Sequence, residues 1–176
     1  MKCVVLLLVW TSAIVCGHSI NRVSRAAHQV CHPTDGRLFE FHTRPLLWED
    51  AQIKCEENGG QLATIQDTET FEFIKSQILG TPEINDDVKT GMWIGLNDRS
   101  MEGLYEWVDG TPLQVDDFKL WSASNPNNNM NKDACHGQDC VQMWKRKNWL
   151  LDDDYCSFRK KDFICEYFNS GECTAL

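Results

Sequence analysis

The chain has no long hydrophobic run after its N-terminal segment. The apolar run from Val4 to Trp10 follows a lysine, is too short to span a bilayer, and leads into small residues. This pattern predicts a signal peptide over residues 1–17, cleaved between 17 and 19, and a secreted, extracellular protein without a membrane span. Lipid attachment at Cys16 is less favoured, because the residues before it match that signal poorly.

Positive charge is also scarce. The chain has 17 Lys and Arg against 26 Asp and Glu, for a net charge of −9, and loss of Lys2 with the signal peptide makes it −10. Nucleic acid is therefore not expected as a partner, because phosphate binding requires a cationic face. An acidic chain with clustered Asp and Asn can, however, hold a hard cation.

Motifs of catalysis and of zinc binding are missing as well. The five histidines are scattered, with no His-Glu-x-x-His and no defensible Ser-His-Asp arrangement. A glycosidase acid pair cannot be assigned from acidic loops alone. Cys135-His136 lacks a second Cys or His pair at finger-like distance, which disfavours zinc. The sequence thus predicts no enzyme.

Cysteine, by contrast, is abundant. Nine are present, and seven remain after signal cleavage. In an oxidising compartment these should form bridges. Seven is odd, so at least one thiol is free, modified or paired with another molecule. The seven are Cys31, Cys55, Cys135, Cys140, Cys156, Cys165 and Cys173.

Two amphipathic helices are predicted in the first half of the chain. One covers Pro45–Glu57 and ends at Asn58-Gly59-Gly60. The other is capped by Asp67, buries a stripe of Phe71, Ile74 and Ile78, and stops at Gly80 and Pro82.

The second half reads as short strands and long loops. The order of elements indicates one α+β domain of roughly 150 residues with a small antiparallel sheet. The Asn-rich segment 111–138 is either a functional loop or a disordered insert. The predicted strands are Met92–Leu96, Tyr105–Val108, Val141–Trp144 and Phe163–Cys165.

Several short motifs occur in a fixed order along the chain. They are Trp48-Glu49-Asp50-Ala51, Gly60-Gln61-Leu62-Ala63, Trp93-Ile94-Gly95-Leu96, Trp107-Val108-Asp109-Gly110, Asn125-Pro126-Asn127, Cys140-Val141, Trp149 and Phe163-Ile164-Cys165-Glu166. Taken together, they resemble the C-type lectin domain from about Phe39 to Tyr167. The resemblance implies an α+β C-type lectin-like fold with two helices, small antiparallel sheets, a long calcium-binding loop region and disulfide bridges. It places the domain at 31–168, after an extension at 18–30 and before a tail at 169–176.

The resemblance also implies the disulfide pattern. Two bridges of the family correspond to Cys55–Cys165 and Cys140–Cys156. Because the family brings the two chain ends together, and Leu38 stands where a local partner of Cys31 is expected, Cys31–Cys173 is the first choice for the third. Cys135 is then odd, and it is a candidate for a disulfide-linked homodimer.

In this family Ca²⁺ is held by loop oxygens and shared with sugar hydroxyls. The corresponding triplet is Asn125-Pro126-Asn127, with a cis bond before the proline, and it is neither the Glu-Pro-Asn of mannose-type members nor the Gln-Pro-Asp of galactose-type members. Two residues are inserted after Trp149, which leaves Asp152 and Asp153 as the metal-side pair. The expected metal ligands at this site are Asn125, Asn127, Asp152 and Asp153, with Gln138 in place of a glutamate and Asp133 as its possible substitute.

An auxiliary calcium site of some relatives is also represented. Its residues are equally explained as ordinary turn residues. The candidates are Asp98, Glu102, Asn128 and Asp139.

The resemblance therefore implies a secreted, calcium-dependent lectin that binds microbial or cell-surface glycans in innate immunity. Asn125, Asn127, Asp152 and Asp153 are the expected ligand contacts. The alternative is a protein- or mineral-binding module on the same fold with a degenerate calcium site. Most of the tryptophans are expected in the core. The basic runs at 145–147 and 159–161 are either solvated turns or a patch for sulfated or sialylated glycans.

Overall fold

In the computed structural model, the described residues are 28–114, 119–133, 137–168, 171 and 173. The expected signal peptide and Cys135 lie outside these ranges. Three helices are present: α1 (Trp48–Glu56), α2 (Thr68–Gly80) and α3 (Pro82–Asn85). The two predicted helices are confirmed. The predicted start at Pro45 was wrong, because Pro45 and Leu46 belong to the preceding strand.

Helix α2 begins at the predicted cap. An Asp67 carboxylate oxygen accepts a hydrogen bond from the Thr70 backbone N–H at 2.7 Å, which satisfies a donor that the first turn leaves open. Phe71, Ile74 and Ile78 are fully buried along one stripe. Pro82 follows the end of α2 and occupies the first turn of α3, a position that proline favours. The sequence patterns did not predict α3.

Eight strands form one sheet, which is larger than expected. The order is β1-β2-β8-β4-β6-β7, with β3 paired to β8 and β5 paired to β4. All pairs are antiparallel except β4 with β8, which are parallel. The strands are β1 (His28–Cys31), β2 (Leu38–Leu46), β3 (Gln61–Leu62), β4 (Gly91–Asn97), β5 (Glu106–Trp107), β6 (Cys140–Trp144), β7 (Leu150–Asp154) and β8 (Lys161–Tyr167).

Strands β4 and β8 lie in the middle of the sheet and are buried at every residue. The helices and the long loop cover them, so the tryptophans expected in the core are there. Trp48, Trp93, Trp107, Trp121 and Trp149 are all at most 7% exposed. Trp144 is the exception, since it is only half-buried at the end of β6.

Three disulfides connect distant parts of the chain as expected. They are Cys31–Cys173, Cys55–Cys165 and Cys140–Cys156. The first joins β1 to the segment that follows β8, and the third clamps β6 to the end of β7. No helix in the described part of the chain is long and apolar enough to cross a membrane.

Candidate ligand-binding cleft

The loop that carries Asn125 is fixed to the edge of the sheet. Trp121 forms a bridge to Leu151 of β7, and the Ser122 backbone N–H donates to the Leu151 carbonyl oxygen at 2.8 Å. The Asn125–Pro126 peptide bond is cis, as expected. This loop therefore lies directly against the strand that contains the three consecutive aspartates.

Asn125 links the loop to Asp152. Its amide nitrogen donates to the Ser122 hydroxyl at 2.6 Å and to Asp152 Oδ1 at 2.5 Å. Its amide oxygen accepts a hydrogen bond from the side chain of Asn127. The two asparagines and Asp152 thus form one continuous polar cluster.

Asp153 organises the loop backbone. Its carboxylate accepts from the Asn127 backbone N–H at 2.8 Å and from the Asn128 backbone N–H at 2.6 Å. Successive side chains of a strand point to opposite faces, so Asp152 shares its face with Asp154, and Asp153 points the other way. Four of the expected residues, Asn125, Asn127, Asp152 and Asp153, are therefore brought together, with Asp153 behind the loop.

Asp154 is a cleft residue that sequence reasoning missed. Gln142 of β6 donates to Asp152 at 2.7 Å and lies 3.4 Å from Asp154. The Lys161 ammonium lies 2.7 Å from Asp154, and Arg159 lies 3.8 Å away. Three consecutive aspartates disfavour a strand, so the sequence did not indicate a strand in which Asp154 shares a face with Asp152.

The buried carboxylates carry charge that the protein compensates only in part. Burial, together with the charges of Asp153 and Asp154, raises the pKa of Asp152 to about 6, against the hydrogen bond from Gln142. Burial also raises the pKa of Asp153, although backbone N–H groups bind it. Within the described ranges, neither Asp152 nor Asp153 forms an ion pair, whereas Asp154 pairs with Lys161 and Arg159.

These groups fit the requirements of Ca²⁺, which prefers carboxylate and amide oxygens. The fit rests on two buried carboxylates that lack a cationic partner, beside two asparagine side chains. No cluster of three or more His, Cys, Asp or Glu side chains suited to a metal ion occurs among the residues that the structure describes. A cation at this place would therefore depend on amide oxygens as well as on carboxylates.

Gln138 lies in the cleft, whereas Asp133 does not. The Gln138 side chain accepts from the Asn129 backbone N–H at 3.0 Å and lies 3.3 Å from Asp154. Asp133 instead lines a neighbouring depression together with Glu49 and Asp139. Gln138 and Asp133 thus line different depressions, and the role of Asp133 as a substitute for Gln138 stays a prediction.

The auxiliary set gathers around Asp98, which is 2% exposed. One of its carboxylate oxygens accepts from the Gly103 backbone N–H at 2.8 Å, and the other has no hydrogen-bond partner. Burial raises the pKa of Asp98 to about 6, with further contributions from the charges of Glu102 and Asp153. The Asp98 backbone N–H also donates to the Asp139 carbonyl oxygen at 3.0 Å. A buried carboxylate oxygen without a partner is a position where a cation fits.

Asn128 is the fourth residue of the auxiliary set, and its position depends on Gly137, which the sequence analysis did not single out. Its amide oxygen accepts from the Gln138 backbone N–H at 2.8 Å. Gly137 has a φ of +73°, and a Cβ there would lie 1.7 Å from the same oxygen. Only glycine tolerates both the left-handed backbone and this close approach.

The cleft has a volume of about 510 Å³ and is lined by two chemically different sets of groups. Such a volume suits a small ligand. The amides and carboxylates are Asn125, Asn127, Gln138, Asp152 and Asp154, and the exposed cations are Lys132, Arg146, Lys147 and Arg159, together with Trp144.

A disulfide-stapled sheet with a polar loop cleft at its edge defines a domain that binds ligands. Residues 44–167 match the family model described as Lectin C-type domain. The chain therefore belongs to the C-type lectin family, whose members are non-enzymatic binding proteins.

The similarity extends to individual proteins. Lectin BRA-3 of Megabalanus rosa is 35% identical over 135 residues, which cover 75% of this chain and 72% of that protein. The human C-type lectin domain family 17, member A, is 29% identical over 134 residues, which cover 76% of this chain but only 30% of that protein. This chain thus spans about a third of its human relative.

Solved structures agree on the fold. The carbohydrate-recognition domain of the mouse scavenger receptor C-type lectin is 28% identical, with a TM-score of 0.66 over 80% of this chain and 95% of that domain. A calcium-independent type II antifreeze protein is 25% identical, with a TM-score of 0.60 over 89% of this chain and 97% of that protein. The fold therefore occurs both in sugar-binding proteins and in proteins with another role.

Proposed function

We propose that this protein is a secreted lectin that binds glycans in a calcium-dependent manner at the cleft lined by Asn125, Asn127 and Asp152, with Asp153 behind the loop as a fourth ligand. The observation that carries the proposal is the convergence of these four polar groups, two of them buried carboxylates without an ion-pair partner. The resemblance to Lectin BRA-3 and to a carbohydrate-recognition domain supports it.

Each residue has a defined part in this proposal. Asn125, Asn127, Asp152 and Asp153 hold the cation, with Gln138 contributing an amide oxygen. A bound Ca²⁺ supplies coordination positions for two neighbouring sugar hydroxyls. The asparagine amides and the Asp152 carboxylate accept and donate hydrogen bonds to the same hydroxyls.

A second cation is proposed for the auxiliary set. Its ligands are Asp98, Glu102, Asn128 and Asp139. The buried Asp98 oxygen without a hydrogen-bond partner supports this assignment. Because the Asp153 charge raises the pKa of both Asp98 and Asp152, occupancy of the two positions should be coupled.

The competing function is a module that binds a protein or a mineral surface without calcium. Two observations favour it: Lys161 already neutralises Asp154, and the similar antifreeze protein is described as calcium-independent. In that case the loop amides and aspartates form a structural network and do not hold a metal ion.

Titration calorimetry separates these functions. Ca²⁺ is titrated into the EDTA-stripped, disulfide-intact protein and into Asn127→Ala, Asp152→Asn and Asp153→Ala. We expect saturable binding in the parent and at least about tenfold weaker binding in the variants, because calcium affinity follows the number and charge of the ligands. Asp86→Asn, which removes an exposed carboxylate outside the cleft, serves as the control.

The outcome decides between the two functions. Binding that is lost in the variants but kept in Asp86→Asn supports a lectin, and glycan binding that EDTA abolishes completes the case. A folded parent without saturable Ca²⁺ binding contradicts the proposal and favours the calcium-independent module.

The cellular setting also belongs to the proposal. Secretion rests on the N-terminal signal pattern, and recognition of microbial or cell-surface glycans in innate immunity rests on the family alone. A homodimer linked through Cys135 would raise the avidity of weak single sites. Its test is non-reducing electrophoresis of the secreted protein beside Cys135→Ser, in which the dimer band should disappear.

A further inference from the structure

The two basic runs of the chain meet at one cleft. Arg146 and Lys147 lie at the turn between β6 and β7, and Arg159 lies at the turn between β7 and β8. All three line the same cleft as Asn125 and Asp152. A protein with a net charge of −9 thus brings three exposed cations together at its candidate binding site.

The β6–β7 turn is anchored, so its cations are held in place. The Lys145 ammonium donates to the Val88 carbonyl oxygen at 3.0 Å and to that of Asn85, and the Lys145 backbone N–H donates to the Thr90 carbonyl oxygen at 3.0 Å. The turn then continues through left-handed residues at Asn148 and Trp149. Lys145 therefore has a structural role and fixes the turn that presents its two neighbours.

The neighbours of Lys145 keep their charge available. Arg146 and Lys147 are exposed, and within the described ranges neither forms an ion pair. The Lys147 ammonium lies 5.5 Å from the centre of the Trp144 ring, which places an aromatic surface beside the charge. Lys132, which also lines the cleft, is likewise exposed and without an ion pair among those residues.

The cleft combines amides and carboxylates with exposed cations, so it suits a ligand that carries both hydroxyls and an anionic group. A uniformly anionic polymer would be repelled by Asp152 and its neighbours, and a neutral sugar would leave the cations without a partner. A sugar that carries one sulfate or carboxylate group satisfies both sets, because its hydroxyls can bind the amides and its anion can bind Arg146 and Lys147.

We propose that Arg146 and Lys147, beside Trp144, form a subsite for the anionic group of an acidic sugar bound in the Asn125 cleft. Arg159 and Lys132 add to the positive potential, while Trp144 packs against a ring face. This assignment rests on the proposed glycan binding and names the class of glycan.

The test uses immobilised glycans in matched sets, in which each neutral oligosaccharide is accompanied by its sulfated and its sialylated derivative. Binding of the full secreted protein is measured in Ca²⁺ and in EDTA. We expect acidic members to bind more tightly than their neutral parents, with a preference that falls as ionic strength rises. Arg146→Gln/Lys147→Gln should weaken binding of acidic members about tenfold and leave the neutral members unchanged.

A matched control removes the same charge elsewhere. Arg44→Gln/Lys54→Gln replaces two cations that do not line the cleft and should keep the acidic preference. Equal binding of acidic and neutral members, equal loss in both double variants, or no binding of any acidic member overturns the subsite.

The same experiment separates this subsite from calcium-dependent binding. Neutral glycans that bind only in Ca²⁺, without any acidic preference, support the proposed function and refute the subsite. Acidic glycans that bind equally in EDTA, and are lost in the Arg146/Lys147 variant, support the subsite and refute the calcium mechanism. The relative strength of the sulfated and the sialylated members identifies the anion.

Discussion

At the scale of single residues, Asp152 contributes both to the candidate binding site and to the pH dependence of stability. It accepts hydrogen bonds from Asn125 and Gln142, yet it is buried beside two further aspartates. Its pKa is raised to about 6 from 3.8, so the folded protein without a cation holds this proton more tightly than the unfolded chain does. The corresponding contribution to stability is present below pH 3.8 and is lost as the pH rises through about 6.

We expect this contribution to appear in the pH dependence of unfolding. In EDTA, urea unfolding of the wild type should show a loss of free energy of unfolding between pH 3.8 and about 6 that is smaller in Asp152→Asn. The exposed Asp50→Asn variant should follow the wild type. Parallel profiles for the wild type and Asp152→Asn would show that Asp152 does not titrate in this window. Excess Ca²⁺ should reverse the trend, because a cation binds the ionised carboxylate.

At the scale of elements, a buried ion pair connects strands β7 and β8. The Lys161 ammonium lies 2.7 Å from Asp154 and 4.9 Å from the centre of the Trp93 ring, and Lys161 is 2% exposed. Burial lowers the pKa of Lys161, while Asp154 opposes that shift. Removal of Asp154 would leave Lys161 as a buried charge, and removal of Lys161 would leave Asp154 with only the exposed Arg159 as a cationic partner.

Lys161→Met is expected to lower the free energy of unfolding by about 3 kcal/mol, because it leaves the buried Asp154 with only the exposed Arg159, 3.8 Å away, as a cationic partner. Chemical denaturation in EDTA measures the change, and the exposed neighbour Lys160→Met should have little effect. The double variant Lys161→Met/Asp154→Asn should recover part of the loss, as expected for a coupled pair. Purely additive losses would show that the two side chains are not coupled.

The same scale shows where sequence patterns were sufficient. The stripe of Phe71, Ile74 and Ile78 after the Asp67 cap is typical of an amphipathic helix. Helix α2 confirms this prediction. Strand β7 shows the opposite case, because its aspartates disfavour a strand locally. Pairing with β6 along its whole length outweighs that preference.

At the scale of the whole molecule, disulfides determine how the ends of the chain are held. Cys31 and Cys173 are 142 positions apart in sequence and are bridged. The Cys55–Cys165 bridge already constrains most of that span, so the additional loop closed by the outer bridge has only roughly 30 residues. Chain-entropy estimates for such a loop give about 3 to 4 kcal/mol.

Removal of the Cys31–Cys173 bridge should therefore lower the free energy of unfolding without abolishing the fold. We expect Cys31→Ser/Cys173→Ser to lose about 3 kcal/mol of free energy of unfolding. Hydrogen exchange should become faster in β1 while β4 and β8 remain protected. Loss of protection in β4 and β8 as well would show that the outer bridge is needed for the core.

The sequence by itself predicted the principal helices and, through its motifs, the family, and the resemblance to that family implied the three disulfide pairs and the grouping of Asn125, Asn127, Asp152 and Asp153. Motif order and periodicity are local properties, so they can be read along the chain. Only the tertiary structure decided that Asp133 faces another cleft, that Asp154 pairs with Lys161 and that Gly137 makes room for Asn128. It also brought two separate basic runs to the same cleft as Asn125. These facts depend on how turns direct side chains and on which strands become neighbours, and both are set by packing between segments far apart in sequence.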